Sequence, residues 1–416
     1  MNSRKGMPFD IGGWDDGARR ELQLRIAIVS GDDVLGQDPE VLGAALATQG
    51  HDVTACLRRG ARRHAGAAAD GYRRVSIPVG PCKSADPVDV LPYVGEWATI
   101  LERTWSAAPP NVVHAYGWLG GLAAQLAARR RRIPVVQTFL GLSATSRGPT
   151  GAEQCSERER IEPLLARSAS WTTGESEADV DALARLRRRR VRVSALTCGV
   201  DGERYTPSGP AACRGSLQRI LCVTPNPLWY NGIDIAIRAL PKVSGAELVI
   251  AEGQPNNSQH DDARAHLSHL AAELGVAHRI QFAGAVTDRE LPKLIRSADV
   301  VVCTPRQPPR AATVLQAMAS GVVVVVAAVG VLADVVLDDI TGLVVAPEHP
   351  AGLAAALRRL LAHSFQCQSM GAAGRSRALS RFTWQRIALD SLNIYDSLTP
   401  QDRSPTTAPA AARSMQ

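Results

Sequence analysis

Aromatic residues are scarce: Phe, Trp and Tyr together make up 4% of the 416 residues. A platform that stacks single-stranded nucleic acid needs a row of rings, and nothing here resembles a nucleic-acid module, so that class is excluded. No apolar run approaches the ~20 residues of a membrane-spanning helix. The N-terminal stretch MNSRKGMPFDIGGWDDGARRELQ has no apolar centre, so it does not read as a signal peptide, and the cytoplasm is the expected compartment. The eight cysteines, at 56, 82, 155, 198, 213, 222, 303 and 367, include no C-x-x-C pair. In a reducing compartment they read as buried thiols rather than disulfides or metal ligands.

What is present is globular: 45% of residues are hydrophobic and 21% charged. A chain this long is too large for one ordinary core, and two domains of roughly 150–200 residues are expected. The net charge is +7, and much of the excess sits in two arginine runs, at 129–132 and 187–190. One reading is an anionic partner, such as a phospholipid surface at the inner face of the membrane or a phosphorylated substrate. The plainer reading is two solvated helix ends, because cations suit a helix C-terminus.

Apolar strands alternate with helical patterns along the chain. LRIAIVSG (24–31), HDVTACLR (51–58), RRVSIPVG (73–80), NVVHAYG (111–117) and IPVVQTFLG (133–141) read as strands. PEVLGAALATQG (39–50), residues 85–107 and WLGGLAAQLAARRRR (118–132) read as helices between them. A second series starts near 219 with RILCVTP and runs through NGIDIAIRALPKV, AELVIAEG and DVVVCTP to VVVVVAAVG. Repeated β-α units with apolar strands imply parallel sheets wrapped by helices. The expected organisation is a tail (1–22), an N-terminal domain (23–200), a linker (201–218) and a C-terminal domain (219–380). A helix (381–399) would then pack back on the N-terminal domain, before a Pro-, Ala- and Ser-rich tail (400–416). The linker is rich in Gly and Pro, as a hinge would be. Two doubly wound Rossmann-like domains then face a cleft, and ligands in such folds sit at the carboxyl ends of strands.

NVVHAYGWLGGLAAQLAARRRRIPVVQTFLGL, LTCGVDGERYTP, YNGIDIAIRALPKV, ADVVVCTP…LQAMASG, DDITGLVVAP and FTWQRIAL occur in this order. Together they resemble a family 4 retaining glycosyltransferase of GT-B architecture, over residues 24–396. The resemblance implies metal-independent transfer of a sugar from a nucleotide-diphosphate sugar bound by the C-terminal domain, with no cofactor. In that family a cation pair neutralises the leaving diphosphate. A glutamate at the end of an E-x7-E pair holds the ribose, the first glutamate lies near the sugar, and a histidine of the N-terminal domain lies by the reacting centre.

The chemical positions differ while the frame persists. The histidine position is Leu140, in Thr138-Phe139-Leu140. The stretch VTPNPLWYNGID (223–234) holds no Lys or Arg, and Asn231 stands at the lysine position before Gly232. The two glutamates fall on Pro308 and Gln316, and VVCTPRQPPRAATVLQAMASG (301–321) contains no carboxylate. Losing two cations from a dry site removes much of the transition-state stabilisation, since one preorganised donor is worth roughly 10²–10³ in rate.

The expected donor-side residues are therefore Asn231, Gly232, Arg306, Arg310 and Gln316, with both arginines as stand-ins for the missing cations. Trp229 and Tyr230 could stack on a base or fill space at a domain edge. On the acceptor side the expected residues are Gly31, Asp32, Asp33 and His114. His114 reads either as a general base or as a strand-end histidine satisfied by backbone. The two aspartates read equally as turn residues. Glu252, at another strand end facing the cleft, departs from the small residues of the family. Two functions remain: a transferase working on an altered donor, or a non-catalytic GT-B protein binding a sugar or an intact glycosyltransferase paralogue.

Overall fold

The computed structural model describes residues 23–31, 38–58, 71–81, 87–143, 157–253 and 258–399. The N-terminal domain runs β1 (Arg25–Ser30), α1 (Asp38–Thr48), β2 (Asp52–Arg58), β3 (Arg73–Ile77), α2 (Val94–Thr104), β4 (Val112–Tyr116), α3 (Trp118–Arg129), β5 (Val135–Thr138), α4 (Glu157–Ser168), β6 (Trp171–Gly174), α5 (Glu177–Arg187) and β7 (Val193–Ala195). The C-terminal domain runs β8 (Gln218–Thr224), α6 (Ile233–Ala239), β9 (Ala246–Glu252), α7 (Ser258–Glu273), β10 (Ile280–Ala285), α8 (Leu291–Arg296), β11 (Val300–Cys303), α9 (Ala312–Ala319), β12 (Val323–Ala327), α10 (Leu332–Val335), β13 (Gly342–Val345), α11 (Pro350–Ala362) and α12 (Ser364–Arg381). A last helix, α13 (Trp384–Asp396), follows.

The first sheet has the order β3-β2-β1-β4-β5-β6-β7, the second β10-β9-β8-β11-β12-β13, and every pairing is parallel. Helices cover both faces, so inner strands can be buried on both sides: β12 is VVVVA with all five residues buried. Strand order reverses between β1 and β4 in one sheet and between β8 and β11 in the other. Such reversals leave a crevice at the carboxyl ends of the two strands, where ligands bind.

Close packing explains two glycines near these crevices. A Cβ on Gly121 of α3 would lie 2.0 Å from Gln137 Oε1, so a larger residue there would have to displace the buried Gln137 amide. Gly232 has φ of 67°, and a Cβ there would lie 1.8 Å from the Thr304 carbonyl oxygen. That contact brings the loop after β8 against the turn after β11.

The helix α13 belongs to the C-terminal end of the chain but packs on α1. Thr383 caps it by accepting from Arg386 N–H at 3.3 Å. Its buried face, Ile387, Ala388, Ile394 and Tyr395, joins Ile26, Ile28, Leu42 and Leu46 in one core. The segment after Val200, expected to be a hinge, lies along the C-terminal domain. Tyr205 is buried in that domain's core, and Ala212 N–H donates to the Lys293 carbonyl at 2.9 Å. Of the cysteines, Cys56, Cys198 and Cys222 are buried, and burial pushes the Cys56 and Cys222 thiols up to about 12. Cys303 and Cys367 are half-buried and Cys213 is exposed, which corrects the expectation for those three; Cys82 and Cys155 lie outside the described residues.

Candidate functional site

The loop after β8 is held by its own side chains. Asn226 Oδ1 accepts from Leu228 N–H at 3.2 Å and from Asn231 Nδ2 at 2.7 Å. Asn226 Nδ2 donates to the Tyr230 hydroxyl at 3.0 Å. Asn231, the expected donor-side residue, is thus turned into the loop and knits it. Trp229 is 49% exposed and meets Tyr230 edge to face.

Arg306 braces this loop from the turn after β11. Its guanidinium donates to both oxygens of Asp234, at 2.7 and 2.8 Å, and to the Trp229 carbonyl at 2.7 Å. Glu348 lies at 3.6 Å. The hydrogen bond to Asp234 holds the Arg306 pKa above its ordinary value. This bidentate pair and its carbonyl contact use three of the five guanidinium N–H groups, so Arg306, expected to stand in for a phosphate-binding cation, is here committed to bracing the loop.

Arg310, four residues on, crosses the cleft. Its Nε donates to Glu175 Oε1 at 3.1 Å and its Nη2 to Asp38. Asp38 opens α1 and Glu175 follows β6, so both carboxylates belong to the N-terminal domain while Arg310 lies in the turn before α9 of the other. Glu175 is only 5% exposed. Burial pushes its carboxyl up to about 7; Arg310 pulls it down, while Asp38 and Asp179 push it further up. Burial alone would lower the Arg310 pKa, but Glu175 and Asp38 more than offset this and raise it. A second strut joins the domains nearby: the Glu177 N–H, at the start of α5, donates to Asp334 Oδ2 of α10 at 2.9 Å. The cleft is therefore clasped by an arginine bridging two carboxylates and by a hydrogen bond beside it.

Around the clasp the other positions fill space. Leu140 lines the small pocket that Asp38, Tyr116, Glu175 and Arg310 also line. Pro308 packs against Gly330, whose Cβ would lie 2.8 Å from that of the proline. Gln316 is half-buried on α9, and its amide has no hydrogen-bond partner among the described residues.

His114 does not face an acceptor, which corrects that expectation. It is 0% exposed, with Nδ1 at 2.6 Å from the Tyr395 hydroxyl and Nε2 at 2.6 Å from Thr138 Oγ1. Burial pushes its pKa down to about 3, so the ring is neutral. Its partners are side chains, one of them on α13, rather than backbone. Gly31 follows β1 and is half-buried; Asp32 and Asp33 lie outside the described residues. Glu252 is turned under α7, with His260 Nε2 at 3.2 Å and Arg264 Nη1 at 3.9 Å.

Asp38 and Glu175 were not expected in the site. The signal for Glu175 is present in WTTGES: a carboxylate immediately after a short strand, at the carboxyl edge of the sheet. Asp38 is the residue before the PEVLG helix, where it reads as a helix-start acid.

Two parallel doubly wound domains meeting across a cleft at their strand reversals define a GT-B protein. Residues 37–199 match the model of the glycosyl transferase 4-like domain, and residues 218–377 that of the glycosyl transferases group 1. The chain belongs to the family 4 glycosyltransferases of GT-B architecture. It is 28% identical over 358 residues to D-inositol 3-phosphate glycosyltransferase of Stackebrandtia nassauensis, covering 81% of this chain and 80% of that one. It is 27% identical over 405 residues to glycogen synthase of Mycobacterium tuberculosis, covering 89% and 92%. Among solved structures, sucrose-phosphate synthase from Thermosynechococcus elongatus superposes with a TM-score of 0.78 at 21% identity, over 90% of this chain and 99% of that one. Anabaena HepE in complex with UDP and glucose gives 0.68 at 17%, over 90% and 100%.

Proposed function

We propose that this glycosyltransferase-family protein does not transfer sugar by the retaining route of its family and works as a non-catalytic GT-B protein that binds a sugar ligand or a partner. One observation carries the reading: Arg310, the cation just before α9, is held by Asp38 and Glu175 across the cleft. A departing diphosphate gains negative charge and is stabilised by preorganised positive groups. Here it would meet two carboxylates, a neutral loop after β8 and an arginine already bound to Asp234. Leu140 supplies no polar group where the family has its histidine. An intact glycosyltransferase of the same family is the first protein partner to test.

A second reading is favoured by Gln316, whose amide stands half-buried without a partner among the described residues. In it, a nucleotide-diphosphate sugar displaces the carboxylates from Arg310, and transfer follows. Relatives named for D-inositol 3-phosphate make a phosphorylated cyclitol the first acceptor to try, and HepE bound to UDP-glucose makes a UDP-sugar the first donor.

Thermal unfolding with UDP, GDP and ADP separates the readings. Ligand at about a hundred times its dissociation constant adds roughly 2.7 kcal/mol, a shift of several degrees. No shift with any nucleotide supports the non-catalytic reading. A selective shift, followed by release of the nucleoside diphosphate from its sugar when D-inositol 3-phosphate is added, replaces it with the second.

A further inference from the structure

The two arginine runs, far apart in sequence, fall at the same edge of the first sheet, with the end of α4 between them. All strands of the first sheet are parallel, so α3, α4 and α5 all run back to its amino edge. There β5, β6 and β7 are consecutive neighbours, entered just after Arg132, Ser170 and Arg192. Adjacent strands lie ~4.8 Å apart, so the starts of β5 and β7, which follow the two runs, lie within about 10 Å of each other. The end of α4 lies between them and is laced to α5 by arginines. Arg187 Nη1 donates to the carbonyls of Ala166 and Ala169 at 2.6 and 2.9 Å, and Arg167 Nε donates to that of Leu186 at 3.0 Å.

Carboxylates are few at this edge. Arg130 pairs with Glu102 at 3.0 Å, and Arg190 reaches back along α5 to Asp181 at 3.1 Å and Glu177 at 3.9 Å. Arg131, Arg132, Arg188, Arg189 and Arg192 form no ion pair among the described residues. The Arg187 pKa is lowered first by burial and then by Arg192 and Arg189, which shows the crowding of like charge. One cation per helix end satisfies the helix dipole, so the surplus has no local purpose.

The backbone carries a second sign. Arg132, Arg188 and Arg192 have φ of 55°, 56° and 62°. Glycine is the usual residue in this left-handed region at a helix end, and other residues are strained there. Arginine stands where the fold alone favours glycine. The surface is also apolar in places: Val191, between two arginines, is 72% exposed, and Leu164 of α4 is 61% exposed.

We propose that this edge of the N-terminal domain docks on an anionic phospholipid surface, its arginines on the headgroup phosphates and Val191 seated among them. Arginine binds phosphate in bidentate fashion and sheds its hydration readily. The apolar residues favour lipid over nucleic acid, whose backbone offers valine nothing. The exposed aromatics of the described residues, Tyr93, Trp229 and Phe365, include none of the residues of this edge. No helix among the described residues is long and apolar enough to cross a membrane, so attachment is peripheral. The docking edge lies opposite the carboxyl ends of the strands, so the clasped cleft stays turned away from the lipid.

The test is sedimentation of the full chain with phosphatidylglycerol-containing vesicles and with phosphatidylcholine vesicles, at low and high salt. Binding only to the anionic vesicles, weakened by salt, is expected. The combined variant Arg131→Ala, Arg132→Ala, Arg189→Ala, Arg192→Ala removes no described ion pair, and it should bind ~10²–10³-fold more weakly, about fivefold per arginine. Arg358→Ala, an exposed arginine of α11, should bind as wild type does. Val191→Asp should weaken binding further at every salt concentration. No sedimentation with anionic vesicles at low salt would overturn the proposal. So would a fourfold variant, folded by its thermal midpoint, that sediments as well as wild type. A preference of the wild type for RNA or DNA over the vesicles would overturn it equally.

Discussion

At the carboxyl edge of the first sheet, Arg310 meets Asp38 and Glu175; at the amino edge, Arg131, Arg132, Arg188, Arg189 and Arg192 meet no carboxylate among the described residues. The same side chain is compensated where it fastens two domains and uncompensated where it faces outward. The difference separates two uses of charge. Inside the cleft, an unpaired ion would be costly, so each arginine has acids fixed around it. Outside, water carries the desolvation term, and the repulsion among arginines is tolerated.

Removing Arg310 should break the comparison most severely. Arg310→Ala leaves Glu175 buried without its cation, and such losses cost about 3–5 kcal/mol. A fall of about 10 °C in the thermal midpoint is expected. Adding Glu175→Gln should restore part of it, and strict additivity of the two changes would show that the pair is not coupled.

The pH dependence of Glu175 is the next largest effect. Its carboxyl rises from 4.5 to about 7 on folding, so the native state holds this proton more tightly than the unfolded chain. The stability it contributes is fully present below 4.5 and is lost as pH rises toward 7, about 3 kcal/mol in all. From about pH 5 to about pH 8, the wild-type midpoint should fall by roughly 5 °C relative to Glu175→Gln. Parallel profiles would mean that Glu175 titrates normally.

The smallest effect has the opposite sign and sharpens the contrast. Arg188→Gly relieves a left-handed residue at the end of α5 and removes like charge. A gain of about 0.5–1 kcal/mol, read as a rise of 1–3 °C, is expected. Destabilisation would mean that Arg188 makes a structural contact of its own.

Much of the fold was legible because buried parallel strands are written as continuous apolar runs: VVHAY, RILCVT and VVVVA need no context. The segment from 157 to 195 was not. The helix α4 reads ERERIEPLLARS, with charge throughout and Pro163 inside, and β6 and β7 are only four and three residues long. The helix α12 hid for a different reason: its buried face includes Gly371, Gly374 and Ala378, so close approach replaces an apolar stripe. The losses at the site were readable as substitutions at Leu140, Asn231, Pro308 and Gln316. What replaced them was not, since Arg310 finds its partners 135 and 272 residues away. His114 was misread because its cover, Tyr395, arrives from the far end of the chain, 281 residues on.

That same arrival of α13 has a consequence for how the protein is made. Synthesis runs from the N-terminus, and domains that emerge first normally fold first. Here Ile26, Leu42 and Leu46 are covered by Ile387, Ile394 and Tyr395, which leave the ribosome after the whole C-terminal domain. The N-terminal domain is thus sealed only after the C-terminal domain has emerged, and until then its apolar flank is a surface for a chaperone to guard.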